Sequence, residues 1–513
     1  MQPIVKMELN QLMTLSVRII QKTRWLLLAV TLQMAWNTPV YSEEEVLPLD
    51  HLYPTNWPGE WSGSVGIESR TYRESGEFGQ DSQNFSAVVS AEYFHSWDSG
   101  RSNIQFKPFV RLDHQDSERN HWDIRELSWS HRGSTWNIRA GIGQVHWGVT
   151  EFRPIVDVIN QIDGVEDTYI AKQGQPLVNF TQRTDIGTFD VYALLSTRQR
   201  TYPGEDGRLR HPITIDTTNA KESINDSEPV DYAIRWKQTF DDLTISLSHF
   251  HGTSRDPHLI FNFDFSKPRL IPIYEEIDQS SIELEYLWNE TTFKLEALTR
   301  SGDAANYEQA KGGVEYTWAG AFNSDWDVTG ILEYMWDSRK GEAPSFLDHD
   351  FLLGFRLFSN DINNTQLKMG FLIDDQTREK AVNLEFSRSI NDNWDVRVLA
   401  SAFIETDPVP DSFLPSSSVI DLLNDISSGE ITDANDARNT LLELLDFNIY
   451  VDTDSEELQR FIGEVIINND PTTLNPIGIA STLDSLYRMG DPNRKMNLFK
   501  EDDYIQFEII RHF

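Results

Sequence analysis

From Gly59 to the last residue, apolar and polar side chains alternate in one segment after another, and no other feature of the sequence restricts the fold as much. The closing stretch, EDDYIQFEIIRHF, is the clearest case. Counting back from Phe513 in twos gives Arg511, Ile509, Phe507 and Ile505, while the other parity holds His512, Ile510, Glu508, Gln506 and Tyr504. Successive side chains of a strand point to opposite faces, so this pattern describes a strand between two different environments. Residues 102–113 set Ile104, Phe106, Val110 and Leu112 against Gln105, Lys107, Arg111 and Asp113. Residues 135–143 set Trp136, Ile138, Ala140 and Ile142 against Asn137, Arg139, Gly141 and Gly143. The alternation returns at 230–237, 282–288, 326–336, 351–357 and 394–404.

A soluble two-sheet sandwich alternates in the same way. Two features favour a transmembrane β-barrel instead. Aromatic residues sit at the ends of the apolar faces (Trp288, Trp326, Trp336, Trp394), where the two membrane interfaces would lie. The connections also alternate in length. Short ones (Asp98-Ser99-Gly100, Arg132-Gly133, Asp185-Ile186-Gly187, Asn289-Glu290) take turns with long polar ones (74–81, 146–175, 203–227, 254–276, 407–501). The reading is an all-β fold: one antiparallel transmembrane barrel of about 18 strands over 59–405 and 502–513, enclosing a lumen. Sixteen strands is the alternative if the hairpin at 176–182 is miscounted.

Composition agrees where it bears on the question. Mean hydropathy is -0.45, and after residue 42 no apolar run reaches the roughly 20 residues a spanning helix needs. Barrel strands escape that test because every second residue is polar. With no Cys there is no disulfide, zinc–thiolate site or thiol catalysis. A net charge of -37 argues against nucleic acid as a partner. At the N-terminus, Lys6, Arg18, Lys22 and Arg24 precede an apolar run at 25–36 and then Val40-Tyr41-Ser42, the layout of a secretory signal peptide over 1–42. Residues 43–58 are then a periplasmic extension.

Two insertions interrupt the strands. In 146–175, Thr150 offers an N-cap and Phe152, Ile155, Val156, Ile159 and Ile162 follow at helical spacing. A short helix folded into the barrel mouth is expected. Its charges (Glu151, Arg153, Asp157, Asp163, Glu166, Asp167, Lys172), with Arg139 from the wall, are the candidate constriction. A lid packed on the rim without a part in selection is the plainer alternative. The second insertion, 406–501, reads as an acidic helical cap or plug, with helices at 418–426, 433–445 and 455–467. Residues 406–503 hold 20 Asp/Glu against 6 Lys/Arg. Inward-phase charges on the strands (Glu283, Glu296, Glu315, Glu333, Arg111, Arg200, Arg235) read as the lining of a wet lumen. Gly141 and Gly143 are expected to leave room there for the inserted segment. No G-x-S-x-G or H-E-x-x-H occurs, so catalytic residues and cofactors are expected to be none. His249 and His251 share a strand face but lack a third ligand in sequence, and no metal is expected.

The stretch 140–158, AGIGQVHWGVTEFRPIVDV, continues through Asn160 and Gly174-Gln175-Pro176 to Arg200-Thr201-Tyr202-Pro203-Gly204. It resembles a group of proteobacterial outer-membrane barrels that carry a glycine-rich strand, a Trp-Gly step and a D-V-I-N helix. That group is similar in layout to alginate-export and porin-type barrels. The closing strand, with Ile505, Phe507, Ile509 and Phe513, resembles the C-terminal signal of bacterial outer-membrane proteins, whose terminal Phe is read by the assembly machinery. Arg511 and the acidic 406–501 segment depart from these patterns. The resemblance implies an outer-membrane location among lipid and lipopolysaccharide, and either solute passage or surface binding. The expectation is a channel or transporter for hydrophilic or amphiphilic solutes. A surface receptor or adhesion protein anchored by a barrel is the alternative, and an outer-membrane barrel hydrolase the third.

Overall fold

The computed structural model describes residues 59–166, 171–222, 230–264, 266–302, 306–339, 347–404, 476–490 and 496–513, with Asn439 and Arg460. The signal and extension read at 1–58 lie outside them, as do the helices expected at 418–426, 433–445 and 455–467 but for Asn439 and Arg460. The strands are β1 (Glu60–Tyr72), β2 (Gln83–Trp97), β3 (Ser102–Asp113), β4 (His121–Arg132), β5 (Trp136–Gly143), β6 (Gln175–Thr184) and β7 (Gly187–Leu194). There follow β8 (Lys221–Glu222), β9 (Asp231–Phe240), β10 (Leu243–Thr253), β11 (His258–Phe261), β12 (Leu270–Tyr274), β13 (Glu276–Trp288) and β14 (Thr291–Gly302). The last seven are β15 (Tyr307–Trp318), β16 (Asp327–Asp337), β17 (Asp350–Phe358), β18 (Gln366–Asp374), β19 (Lys380–Asn391), β20 (Trp394–Ile404) and β21 (Tyr504–His512).

Eighteen of these form one sheet, each antiparallel to the next, and β21 pairs with β20 on one edge and β1 on the other. The sheet is therefore a closed barrel of eighteen strands with no free edge. At the seam Gly63 and Phe513 exchange backbone N–H···O bonds, both 3.0 Å. The strands β8, β11 and β12 make a separate small sheet out of two long connections that the sequence reading took as plain loops. A helix, α1 (Pro476–Gly490), lies within the 406–501 segment read as helical, outside the three stretches named there; it buries Ile479, Leu483, Leu486 and Met489, and Arg488 grips Glu77 of the β1–β2 loop at 2.5 and 2.6 Å.

The face assignment is the inverse of a soluble protein. Ile67, Leu112, Trp122, Trp288, Ile505 and Phe507 are exposed, while Glu68, Arg111, Glu296, Lys311, Glu333 and Gln506 are buried inside. A closed sheet with an apolar exterior and a polar interior leaves no unpaired edge groups in hydrocarbon, which is the condition for spanning a membrane with strands. A dry sandwich is excluded. Exposed Trp61, Trp288 and Trp394 lie toward the short-turn end, and Trp122 and Trp336 toward the other. Arg511, out of character on the lipid face, lies with its guanidinium 5.7 Å over the Trp394 ring and so reaches for the interface.

Two local devices aim side chains inward. A bulge in β4 leaves Arg125 without a strand partner, because Lys107 pairs with Glu126 and Pro108 with Ile124. Gly141 has φ 131°, and a Cβ there would strike the Leu127 carbonyl oxygen of β4. The space at Gly141 is thus claimed by a neighbouring strand, not by the inserted segment as expected.

Candidate functional site: a segment strapped across the lumen

The connection between β5 and β6 turns into the barrel, as its apolar content required, but residues 146–166 contain no helix. Pro154 supplies no N–H and disfavours the α conformation at Arg153, so a helix begun at Thr150 cannot continue. The amides find acceptors on the wall instead. Gly148 N–H donates to Glu283 at 3.1 Å. Val149 and Thr150 N–H donate to Glu296, both at 2.7 Å, joined by the Thr150 hydroxyl at 2.8 Å and Ile155 N–H at 2.8 Å. Glu151 and Phe152 N–H donate to Glu333 at 2.6 and 3.3 Å. Lys311, 2.9 Å from Glu333, donates to the Phe152 carbonyl. Three wall carboxylates replace the hydrogen bonds a helix would have made internally, which satisfies the buried backbone groups.

The apolar residues of the segment pack on opposite parts of the wall. Trp147, Val156, Val158 and Ile159 join Leu177, Leu194, Phe250 and Ile277 in one buried cluster. Phe152 lies against a second cluster with Met335, Leu352 and Leu372. Its ring sits over Gly354 and Gly370, partners across β17 and β18: a Cβ on Gly354 would be 3.0 Å from the ring, one on Gly370 3.1 Å. The segment therefore runs from β5 and β6 across the lumen to β17 and β18.

Its second half is held through side chains. Arg111 of β3 binds Glu166 at 2.5 and 2.7 Å and Glu68 of β1 at 2.8 Å. Arg119, in the β3–β4 loop, reaches Asp113 at 2.8 Å and the Val165 carbonyl at 2.9 Å. Asp163 accepts from Arg125 at 2.6 Å and from the Thr201 hydroxyl at 2.6 Å, and lies 3.2 Å from His121. Burial pushes its carboxyl up, but the His121 hydrogen bond and the Arg125 guanidinium more than reverse this and hold it well below the usual carboxylate range. Lys172 pairs with Asp157 and donates to the Val145 carbonyl at 2.7 Å. For that pair burial works against both charges, raising Asp157 and lowering Lys172, against the attraction between them.

Each described candidate lies on or beside this segment in an ion pair, Asp157 and Lys172 with each other. Arg139 is 3.3 Å from Glu126, Arg153 is 3.3 Å from Asp256, and Glu151 meets Arg356. Asp157, Asp163, Glu166 and Lys172 are paired as above, and Asp167 lies outside the described residues. Of the residues that hold the segment, Glu283, Glu296 and Glu333 were legible only as inward charges, and Lys311 was not singled out. Nothing in the chain's spacing says which loop they meet. His249 and His251 face outward beside Asp278, at 3.5 and 3.1 Å, and among the described residues no group of three or more His, Cys, Asp or Glu is placed to hold a metal ion. Ile505, Phe507 and Ile509 lie on the outward face of β21, with Phe513 at its end.

No family model matches the sequence, and no curated protein matches it. Among solved structures the chain is similar to OccK8 (OprE) of Pseudomonas aeruginosa, with a TM-score of 0.42 and 11% identity over 68% of this chain and 95% of that one. It is similar to OccK5 (OpdH) of the same organism, with a TM-score of 0.40 and 11% identity over 68% and 93% of the two chains. Wzi, an outer-membrane protein involved in group 1 capsule assembly in Escherichia coli and a carbohydrate-binding β-barrel, gives a TM-score of 0.40 and 8% identity over 68% and 81%.

Proposed function

We propose that this chain is an outer-membrane channel for hydrophilic or amphiphilic solutes, with the inserted segment 146–175 as its internal restriction. The observation that carries the reading is the strap itself. A segment inside a closed polar lumen, bonded to β13, β14 and β16 through backbone amides and to β3 and β4 through side chains, narrows a passage in a defined way. Rings and clusters of fixed charge at such a narrowing select what passes. Arg139, Glu151, Arg153, Asp157, Asp163, Glu166, Asp167 and Lys172 are the residues proposed to set that selection. On this reading the apolar exterior faces lipid and lipopolysaccharide, and the closing strand with its terminal Phe513 is what the assembly machinery engages.

The test is conductance of the purified full-length protein in planar bilayers, beside a variant lacking 148–156. Discrete conductance that increases in the deletion supports the reading. Silence from both proteins, with folding verified by heat-dependent gel mobility, overturns it.

A further inference from the structure

Two serine hydroxyls on the outward face of the barrel lie against a histidine of the neighbouring strand. Ser102 of β3 meets His131 Nδ1 of β4 at 2.7 Å, and Ser280 of β13 meets His249 Nδ1 of β10 at 3.0 Å. Among the described residues only the second pair continues to a carboxylate, with Asp278 Oδ1 3.5 Å from His249 Nε2. His251, the next outward residue of β10, lies 3.1 Å from the same oxygen and 3.6 Å from Glu276, its ring 4.9 Å from that of Tyr232. Ser102 is buried and Ser280 is exposed. Ser280 therefore heads a chain of hydroxyl, imidazole and carboxylate that a molecule from outside can reach.

The register sets where this chain stands. One row toward the short turns, Leu247, Ile282 and Ala297 are cross-strand partners on the outward face; one row the other way are His251, Asp278 and Ser301. His249, Ser280 and Thr299 form the row between, the first polar one beyond the apolar belt. At such a boundary the acyl chains of a membrane lipid end and its polar linkages begin. Opposed residues on one face have Cβ atoms about 4.5–5.5 Å apart, so the exposed Thr299 stands beside Ser280 on the side away from His249. A carboxylate at Nε2 places the ring's proton there and leaves the Nδ1 lone pair to accept from the serine hydroxyl. A nucleophile, a base and a group that orients the base, each within reach of the next, activate a hydroxyl whichever strands supply them. Contacts to the base commonly shorten once substrate is in place.

We propose that Ser280, His249 and Asp278 form a site on the lipid-facing wall, separate from the lumen, that hydrolyses carboxylic esters of outer-membrane lipids. Ser280 Oγ attacks the ester carbonyl carbon while its proton passes to His249 Nδ1, and the Thr299 hydroxyl donates to the carbonyl oxygen as charge develops there. The bond from the carbonyl carbon to the ester oxygen breaks, and the departing alcohol takes the proton from Nδ1. Water then attacks the acyl group on Ser280, with His249 accepting its proton and returning it to the serine as the carboxylic acid leaves. The sum is ester and water to acid and alcohol, with no redox partner. The acyl chain lies along Leu247, Ile282 and Ala297, the small side chain of Ala297 leaving room for it. Asp278 touches no reacting atom and acts as a positioning residue for the imidazole.

The experiment incubates the purified full-length protein in mixed micelles with phosphatidylethanolamine or with lipopolysaccharide and measures released fatty acid. A fluorophosphonate label, mapped by mass spectrometry, is applied in parallel. Release from either lipid, with the label on Ser280 and not on Ser102, supports the proposal, and the two lipids tell which one supplies the ester. Ser280→Ala should abolish release and label together. His249→Asn should slow release about 10²–10⁴-fold, and Thr299→Val about 10²–10³-fold. Asp278→Asn should lower kcat with KM unchanged, and Asp278→Glu should restore part of the loss. Heat-dependent gel mobility verifies the folding of each variant. Absence of both release and label in the native protein overturns the proposal, as does release that survives Ser280→Ala or labelling that falls equally on Ser102. Bilayer conductance enters none of these outcomes, so the channel reading stands or falls separately.

Discussion

The two halves of the strap are held by opposite means. Over 148–155 the wall grips backbone: Glu283, Glu296 and Glu333 accept from amides that any residue but proline could supply. Over 157–166 the wall and adjacent loops grip chiefly side chains: Arg111, Arg125 and Thr201 engage the Glu166 and Asp163 carboxylates, and Arg119 adds a bond to the Val165 carbonyl. The first half depends on the wall's residues and hardly on its own. The second depends on both. A backbone grip fixes where the chain runs while leaving Glu151 and Arg153 free to face other groups, and a side-chain grip consumes the charges it uses.

Glu296→Ala is the strongest way to break the comparison. It removes the shared acceptor of four amides, that of Val156 the longest at 3.5 Å, and of the Thr150 hydroxyl, and hydrogen bonds to a charged group are each worth about 1.5–3 kcal/mol. The 148–156 stretch is expected to become protease-sensitive and single-channel conductance to rise severalfold, with Glu296→Gln intermediate. Unchanged resistance and conductance would show that the wall carboxylates do not hold the strap. Arg111→Ala comes next, leaving Glu166 and part of Glu68 uncompensated at a cost of about 3–5 kcal/mol. Proteolysis near 166 should increase while 148–156 stays protected; simultaneous release of both would show the halves to be one cooperative unit.

Gly354→Val fills the seat of Phe152 and is expected to cost about 1–3 kcal/mol by overpacking, read as a lower urea midpoint. Acid sharpens the comparison further. Because the folded Asp163 carboxyl is held below its unfolded value of about 3.9, its contribution is present above that pH and is lost as pH falls through the folded value. Protection of the 157–166 region should therefore persist down to about pH 4 and fail below it. In Asp163→Asn that acid-dependent loss should vanish, and its persistence in that variant would contradict the assignment. Smallest of all, Arg356→Ala frees Glu151 from a partly exposed pair worth at most about 1 kcal/mol, and conductance should stay close to native.

Strand existence and face were legible because period two is a local property: the parity of Ile505, Phe507 and Ile509 against Gln506 and Glu508 is visible without knowing any neighbour. The inward path of the strap was legible too, since Val156 and Ile159 had to be buried somewhere. Its conformation was not. The spacing of Phe152, Ile155 and Ile159 matches a helix, and the competing acceptors, Glu296 and Glu333, lie more than a hundred residues away. The same distance hid Asp256, which reads in sequence as a loop residue before a proline and gains its ion pairs only when the fold brings Arg153, Arg200 and Arg300 beside it.

By itself the sequence determined a barrel of about eighteen strands, which side of each strand faces outward, and that the apolar residues of the strap must be buried. Each follows from alternation and burial along the chain. The closed tertiary structure decided which charges meet and how the strap is bonded, because it alone brings residues far apart in sequence within hydrogen-bond reach, in a lumen where water no longer competes for every polar group.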